Sequence, residues 1–505
     1  REPTKPIVPM LARTRAVAPR GSWPRAARAF SIASSSPWRV AIIGSGPAGF
    51  YTADALLKGS SDVRVDIFDR LPVPYGLVRY GVAPDHPEVK NVTERFAGIA
   101  RSERVTFAGN VEVGDGQGAT VAAGELLAKY QAVVLACGAD RDRALGVPGE
   151  DLDHVISARE FVAWYNGHPS SAGHAYDLAQ HDTALVVGQG NVALDVARVL
   201  LKSVEDLAST DISPAAVEAL SRSAIRRVLL VGRRGPLQAA FTTKELRELT
   251  QIPGVRVAID LGDPEALSPE ALDAVKGDRP RRRQGELLAK LAAEGGGDPT
   301  GERECRFVFH RQPAAILPGG DSGPARGAVA AARFERTRLE GSRAVGTGEM
   351  EDFPCGYLFR SIGYEASPLP GVPFDSRTRR VPQAGGRVLA SPGGEPVPGL
   401  YASGWYKRGP TGVILSNISD AGETAQALLE DWRAGRLRRP GPEPEGLAGL
   451  LPVLEARGAR PVDFAAWERV DAHEQAEGQR LGKRICKVTD VEEMLRLALP
   501  AMTSD

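Results

Sequence analysis

Short apolar runs recur along the chain and are separated by longer segments in which apolar and polar residues are mixed. Runs rich in Val, Ile, Leu and Ala predict parallel strands that are buried on both faces. We expect such strands over residues 40–43, 63–68, 132–138, 184–187 and 228–231. Helical segments are predicted over residues 49–57 and, together with a loop, over residues 200–223. Alternation of strands and helices is typical of an α/β fold.

The strand pattern returns late in the chain. Further strands are predicted over residues 355–364 and 400–404, and a helix opens at residues 411–414 and runs towards residue 429. This return predicts a discontinuous first domain with a second domain inserted into it. The fold is therefore expected to be α/β, with two Rossmann-like dinucleotide-binding domains. We place the first domain at residues 38–142 and 366–505, including a C-terminal segment, and the inserted domain at residues 143–365.

A glycine fingerprint follows the first predicted strand. Residues 44–49 read GSGPAG, and Asp69 follows the next strand, 20 residues after Gly49. Gly44 permits a tight turn, Gly46 lets the backbone approach a pyrophosphate, and Gly49 lets helix and strand pack closely. The carboxylate of Asp69 would accept hydrogen bonds from ribose hydroxyls and repel a ribose phosphate. The first unit is therefore predicted to bind a dinucleotide without a 2′-phosphate.

A second fingerprint, GQGNVA, occupies residues 188–193, and Arg233 and Arg234 follow its second strand. A pair of guanidinium groups suits bidentate contact with the adenosine 2′-phosphate, so this unit predicts NADPH rather than NADH. A solvated charge pair is the alternative interpretation.

Residues 404–414 (GWYKRGPTGVI) precede a predicted helix. Amides at a helix N-terminus would stabilise negative charge on a reduced flavin ring, and Trp405 would stack on that ring or cover it. An ordinary loop with a buried indole stays the alternative.

Two ionisable residues are candidates for catalysis. His86 is the last residue but one of the Pro- and Gly-rich segment 71–87. We expect this segment to be neither helix nor central strand and to line a cofactor site. A purely structural role for His86 stays open. Asp195 is expected on the first turn of the second motif's helix, where it would face the nicotinamide or favour the helix N-terminus.

The composition and charge of the chain exclude several kinds of site and point to one charged surface. The 505 residues have a formal net charge of +0, so a charged partner must meet a local patch. Such a patch is predicted at Arg279, Arg281, Arg282 and Arg283, a segment expected to be exposed and mobile. It would suit an acidic protein in a redox chain; a solvated surface or nucleic-acid patch is the alternative. The four cysteines form no Cys-x-x-Cys pair, which argues against a metal or dithiol centre, and no apolar stretch reaches the length of a membrane span.

The N-terminal segment carries five arginines between Met10 and Trp38 and no acidic residue. This composition is typical of a mitochondrial transit peptide, with a disordered basic tail as the alternative. We leave residues 1–37 out of the fold and expect Met10 to be a candidate start.

Several runs of sequence resemble the adrenodoxin reductase family of mitochondrial NADPH:ferredoxin oxidoreductases over most of residues 39–500. The runs are GSGPAGFYTA, PVPYGLVRYGVAPDHPEVKN, GQGNVALDVAR, VGRRGPLQAAFTTKELRE and GWYKRGPTGVI. The resemblance implies FAD in the first domain and NADPH in the inserted one. It implies FAD contacts at Ala48, Asp69, Leu77, Val113, Trp405, Gly412, Val413 and Ile414. It implies NADPH contacts at Gln189, Gly190, Asn191, Val192, Arg233, Arg234, Glu245 and Gly412.

The same resemblance implies the reaction and the partner. Hydride would pass from NADPH to the flavin, and electrons would pass singly to an acidic [2Fe–2S] ferredoxin that binds Arg247 and the arginines of residues 279–283. The resemblance also implies that these transfers would supply mitochondrial haem monooxygenases and the iron–sulfur and steroid pathways. We expect a monomer in the mitochondrial matrix, with peripheral attachment to the inner membrane left open. Asp69 stands where we expect glutamate in relatives, and residues 284–350 match poorly.

Three other functions are the alternatives: a disulfide reductase, a flavin monooxygenase or electron-input subunit of a synthase, and a non-catalytic NADPH-binding sensor. The absence of a Cys-x-x-Cys pair argues against the first, and the basic patch favours a ferredoxin acceptor over the second. A flavin spectrum of the purified protein would exclude the third.

Overall fold

The computed structural model of the protein describes residues 37–115, 120–298, 300–320, 327–437 and 445–499. The predicted transit peptide and Met10 lie outside these ranges. None of the described helices is long and apolar enough to cross a membrane.

The first part of the chain forms one half of a seven-stranded sheet. Its strands are β1 (Trp38–Ile43), β2 (Val63–Phe68), β3 (Val105–Ala108) and β4 (Ala132–Leu135). Its helices are α1 (Pro47–Gly59), α2 (Leu77–Tyr80), α3 (Pro87–Lys90), α4 (Val92–Ala100) and α5 (Ala123–Lys129). Strand β1 pairs in parallel with β2 and β4, and every residue of β4 is buried, as its unbroken apolar sequence predicts.

The next part of the chain forms a second sheet. The first and last strands of this part pair with each other as a two-stranded antiparallel ribbon. Its strands are β5 (Arg141–Asp142), β6 (Val155–Ser157), β7 (Thr183–Val187), β8 (Arg227–Val231), β9 (Val255–Asp260), β10 (Gly296–Gly297), β11 (Arg303–Val308), β12 (Arg311–Pro318), β13 (Val329–Glu340), β14 (Arg343–Pro354), β15 (Tyr357–Arg360) and β16 (Tyr364–Glu365). Its helices are α6 (Ala158–Tyr165), α7 (Asn191–Leu201), α8 (Val204–Ala208), α9 (Pro214–Ser221), α10 (Thr243–Thr250), α11 (Pro269–Ala274) and α12 (Arg279–Glu294).

The second sheet has seven strands in the order β10-β9-β11-β8-β7-β15-β6. Strands β12, β13 and β14 form a separate antiparallel sheet. Strand β7 has β8 as its parallel neighbour, so the second glycine turn and the paired arginines lie at adjacent strand ends.

The last part of the chain rejoins the first sheet. Its strands are β17 (Gln383–Ala384), β18 (Arg387–Leu389) and β19 (Pro396–Ala402), and its helices are α13 (Trp405–Arg408), α14 (Ser416–Arg433), α15 (Leu451–Ala456), α16 (Phe464–Arg480) and α17 (Val491–Ala498). Strand β19 pairs in parallel with β4. Trp38 at the start of β1 stacks on Trp432 of α14, with ring centroids 4.8 Å apart. The predicted fold class is therefore confirmed: two Rossmann-like α/β units, one inserted into the other.

The β5–β16 ribbon joins the segments at which we predict the two domain boundaries, and the boundaries themselves stay predictions. The helix and loop predicted over residues 200–223 are confirmed, with two helices in place of one. Three local expectations are wrong. Residues 77–80 of the Pro-rich segment form a helical turn, and α14 begins at Ser416 rather than at 411–414. The arginines of residues 279–283 begin a 16-residue helix rather than a mobile segment.

Candidate active site

The first glycine turn is shaped by close backbone approach. Gly44 has φ +107°, and a Cβ there would lie 2.4 Å from the carbonyl oxygen of Ala136. A Cβ on Gly49 would lie 2.0 Å from the Gly44 oxygen, so helix and turn are in contact, as the motif predicts. A Cβ on Gly46 would meet nothing within 4 Å. The open space above Gly46, at the start of α1, fits a pyrophosphate at a helix N-terminus.

Asp69 is held against this turn. One carboxylate oxygen accepts hydrogen bonds from the backbone N–H of Ser45 (2.9 Å) and from its hydroxyl (2.5 Å), and the other from the N–H of Leu71 (3.0 Å). The carboxylate thus lies beside the open space above Gly46, where a ribose would follow a pyrophosphate.

The remaining candidate FAD contacts differ in exposure. Ala48 is buried in α1, Leu77 is 40% exposed at the start of α2, and Val113 bridges to Val121 outside the main strands.

The second glycine turn repeats this geometry. Gly188 has φ +127°, and a Cβ there would lie 2.1 Å from the Ser361 oxygen, whereas Gly190 has open space. The side-chain amide of Gln189 turns inward and donates to the oxygens of Leu230 (2.9 Å) and Val308 (3.2 Å). The family resemblance implies a cofactor contact at Gln189, but the side chain contacts two strand ends, which leaves the backbone for a ligand.

The neighbouring residues frame the same turn. The side-chain oxygen of Asn191 accepts a hydrogen bond from the N–H of Thr242 (2.9 Å), and Val192 is half-buried against the core of the inserted unit.

Arg233 and Arg234 are exposed at the end of β8. Within the described residues neither guanidinium forms an ion pair, while their backbone oxygens accept hydrogen bonds from the Thr337 hydroxyl (2.7 Å) and the His310 N–H (3.3 Å). The backbone of the turn is therefore fixed, and both charges are available to an anion.

The segment before α14 packs onto the first glycine motif. A Cβ on Gly404 would lie 2.4 Å from the Cβ of Ala48. Gly412 has φ +82°, Val413 is 55% exposed, and Ile414 packs against the core of the first unit. The Trp405 ring lies 5.9 Å from that of Tyr364 in strand β16 of the ribbon. The second half of the first domain thus brings Trp405 and residues 412–414 to the same place as α1.

An ion cluster joins the two units and contains both candidate catalytic residues. The Arg198 guanidinium contacts Asp85 (2.9 Å), Asp195 (2.7 Å) and Glu245 (2.9 Å). His86 Nε2 lies 2.8 Å from Glu248 and 4.0 Å from Glu245. Sequence reasoning missed Arg198, Asp85 and Glu248 as members of the cluster. The spacing of Asp195 and Arg198 on α7, three residues apart, is the one signal that could have found the arginine.

The helix α7 begins at Asn191, so Asp195 lies on its second turn rather than its first. The alternative that Asp195 favours the helix N-terminus is therefore wrong, because that effect is confined to the first turn.

Burial and the shared guanidinium set the charges of the cluster. Burial raises the pKa of Asp195 to about 6, although Arg198 opposes the shift. Burial would also raise the pKa of Asp85, but Arg198 outweighs it and the pKa falls to about 2. Asp195 is therefore the carboxyl that can gain or lose a proton near neutral pH.

The ligand atoms of His86, Glu245 and Glu248 lie within 4.8 Å of one another. A metal cation there would be repelled by Arg198, which already contacts Glu245. This trio is therefore a poor metal site.

The predicted partner patch lies on two neighbouring helices of the inserted unit. Arg279, Arg281, Arg282 and Arg283 are exposed on the first turns of α12, and Arg247 is exposed on α10. Arg282 pairs with Glu286 (2.8 Å) and Arg281 lies 3.7 Å from Asp278, whereas Arg279 and Arg283 have no ion-pair partner among the described residues. The surface therefore carries excess positive charge.

Known proteins resemble this chain over nearly its whole length. The pyridine nucleotide-disulphide oxidoreductase family matches residues 38–251. The mitochondrial NADPH:adrenodoxin oxidoreductase of Homo sapiens is 49% identical over 490 residues, covering 95% of both chains. The Arabidopsis thaliana protein of the same name is 45% identical and covers 93% of this chain and 97% of its own. The solved structure of Mycobacterium tuberculosis FprA in complex with NADPH is 38% identical, with a TM-score of 0.82 over 92% of this chain and 100% of that chain.

Proposed function

Since this chain belongs to the NADPH:adrenodoxin oxidoreductase family, we propose that it oxidises NADPH and reduces a [2Fe–2S] ferredoxin of the adrenodoxin type. The observation that carries the proposal is the identity of 49% to the human relative over 95% of both chains. The enzyme is an FAD-dependent oxidoreductase, and its cofactors are FAD and NADPH.

The residues of the first unit fit FAD. Gly46 leaves open space at the start of α1, Asp69 lies beside it, and Trp405 follows Gly404, which packs against Ala48 of α1. FAD, when bound, would accept one hydride, which carries two electrons, and would release these electrons one at a time. The contribution of the chain is to hold the pyrophosphate on α1, the ribose on Asp69 and the ring beside Trp405 and residues 412–414.

The residues of the second unit fit NADPH. Backbone groups of residues 188–192 would hold the pyrophosphate, and Arg233 with Arg234 the 2′-phosphate. Glu245 contacts Arg198, so its proposed part at the NADPH site is to hold the ion cluster in place.

His86 and Asp195 carry proposed proton and positioning roles. The carboxyl of Asp195, with its pKa of about 6, can hold or release a proton near neutral pH. His86 spans the boundary between the units through its contact with Glu248, which fixes the Pro-rich segment against α10.

The exposed arginines of α12, with Arg247, form the proposed ferredoxin surface. Complementary charge speeds encounter with an acidic partner and leaves affinity weak, which suits a protein that must release each reduced carrier. The relatives named mitochondrial support a mitochondrial location, and we place the protein in the matrix as a monomer.

Steady-state assays with NADPH test this proposal directly. Ferredoxin reduction should far exceed reduction of dithiols or oxygen.

Arg281→Glu with Arg283→Glu should lower ferredoxin turnover while ferricyanide reduction is retained, because the small dye needs no docking surface. Arg222→Glu, an equally exposed reversal at the end of α9, is the matched control and should change neither rate. Equal loss of both activities in the α12 variant would contradict the patch assignment, and absence of ferredoxin reduction by the parent would contradict the function.

A further inference from the structure

Positive charge surrounds the turn that joins α13 to α14. Lys407 and Arg408 are the last two residues of α13. The guanidinium of Arg380 lies against the start of the turn, since a Cβ on Gly409 would lie 2.8 Å from its Cζ. The N-terminus of α14 adds the positive end of a helix dipole, and its first turn contains no acidic residue.

Few carboxylates oppose this charge. Lys407 pairs with Glu423 (2.6 Å) and lies 3.3 Å from Asp420. Asp420 also accepts a hydrogen bond from the N–H of Gly404 (2.5 Å) and lies 3.8 Å from Arg408. Among the described residues Arg408 has no closer carboxylate, and its Nε has no hydrogen-bond partner. Burial lowers the pKa of Arg408 and Asp420 opposes this shift only in part, so the guanidinium charge is weakly compensated.

The Arg408 guanidinium also fixes the backbone of the turn. It donates hydrogen bonds to the Thr411 oxygen and to the side chains of Ser416 (3.2 Å) and Asn417 (3.0 Å). These two side chains donate in turn to the backbone oxygens of residues 413 (2.5 Å) and 414 (3.0 Å). One arginine thus holds three carbonyls of the turn, either directly or through one further side chain.

The amides of the same turn are free. No hydrogen bond within the described ranges uses the N–H groups of Gly412, Val413 or Ile414. A Cβ on Gly412 would lie 3.2 Å from Arg408 Nη1, so the guanidinium lies directly against this residue. Successive free amides in a turn form a concavity that suits an anion.

We propose that Arg408 is a positioning residue for FAD: it engages the carbonyls of the turn, which leaves the amides for the flavin ring, and its charge stabilises the ring in the reduced state. The inference rests on the proposed function, which puts the ring beside residues 412–414. Hydride from NADPH brings two electrons and one proton to a neutral ring, so NADP⁺ departs and the ring gains one negative charge. Amides and a guanidinium that are already in place stabilise this charge without rearrangement.

The midpoint potential of the bound flavin tests the proposal, because it compares the binding of reduced and oxidised flavin. Arg408→Met should weaken the binding of reduced flavin about 10-fold more than that of oxidised flavin, which lowers the potential of a two-electron couple by about 30 mV. Arg408→Lys keeps the charge and should recover most of this change. Arg433→Met removes an exposed arginine at the opposite end of α14 and should leave the potential unchanged. Reductive titration with dithionite and a reference dye measures each protein.

A second variant gives a shift of the opposite sign if Arg408→Met does not retain flavin. Asp420→Asn keeps an oxygen for the N–H of Gly404 but removes the carboxylate that opposes Arg408, so the potential should rise. The inference is overturned if Arg408→Met holds flavin at the parent potential, if Arg408→Lys falls as far as Arg408→Met, or if Asp420→Asn does not raise the potential.

Dithionite bypasses both NADPH and ferredoxin, so this titration is independent of the assay that tests the proposed function. Variants with the expected potentials, in a protein that fails to reduce ferredoxin, would contradict the proposed function and support the role of Arg408.

Discussion

The Arg198 side chain lies at the centre of the ion cluster in the candidate active site. It is only 2% exposed and contacts carboxylates from the Pro-rich segment, from its own helix and from α10. Sequence reasoning found His86 and Asp195 but not this arginine, because helical arginines usually lie in solvent and no local signal shows which of them will be buried. It also could not find the pKa of Asp195, since that value depends on burial between two units that are distant in sequence.

Asp195→Asn tests that burial. The pKa of Asp195 lies near 6, above its ordinary value, so its protonated form is favoured by folding, and this stability is lost as pH rises from about 4 to about 6. Asparagine cannot ionise, and Arg198 keeps Asp85 and Glu245 as partners. The variant should therefore be more stable than the parent at pH 8 by about 1 to 3 kcal/mol, with a smaller gain at pH 5. Urea unfolding at the two pH values measures this, with exposed Asp151→Asn as control. Equal differences at both pH values would contradict the assigned pKa.

The two glycine turns are the elements that sequence reasoning predicted best. Strand, turn, helix and the following strand lie where the apolar runs and fingerprints indicate, because buried parallel strands need unbroken apolar sequence. Helix α12 was missed because its first turns carry four arginines, whereas acidic residues are usual at a helix N-terminus. The helix forms there because the Asp278 side chain caps it. The start of α14 was misplaced because Gly409, Pro410 and Gly412 keep the chain non-helical up to Ser416.

The second glycine of each turn allows a matched pair of variants. Gly46 and Gly190 have extended backbones and open space beyond their Cα atoms, so Gly46→Val and Gly190→Val are compatible with the fold. Gly46→Val should purify with little flavin, because the valine occupies the pyrophosphate space. Gly190→Val should keep its flavin and raise the Kd for NADPH by at least about 10-fold, the cost of about 1.4 kcal/mol of lost contact. Absorbance of the bound flavin and nucleotide titration measure the two effects. Flavin loss in Gly190→Val with normal NADPH binding would reverse the assignment of the units.

At the scale of the whole molecule, buried ion pairs connect the inserted unit to the first unit. Asp211 of the inserted unit lies between Lys90 (2.7 Å) and Lys487 (2.8 Å), and all three are largely buried. Burial and the neighbouring charge of Lys487 lower the pKa of Lys90 to about 7. Burial would raise the pKa of Asp211, but the two lysines outweigh it and lower this pKa to about 2. The sequence predicted the insertion itself from the late return of strands, but not this contact, because its members are separated by more than a hundred residues.

Asp211→Asn removes the one carboxylate that two buried lysines share. It should destabilise the protein by about 3 kcal/mol, because it leaves buried cations unpaired. Asp182→Asn, which breaks an exposed pair with Arg227, should cost about 0.5 kcal/mol or less. Thermal and urea unfolding measure both. Equal effects of the two substitutions would show that the buried cluster does not hold the units together.

The account depends most on the contrast between Asp69 in the first unit and the paired arginines in the second. The direct test compares kcat/KM for NADPH and NADH in the parent and in Arg233→Ala with Arg234→Ala. The parent should prefer NADPH, and the double variant should lose about 100-fold of that preference through NADPH alone, as expected for two charge-assisted hydrogen bonds. An equal change for both nucleotides, or a parent that uses NADH as well as NADPH, would contradict it.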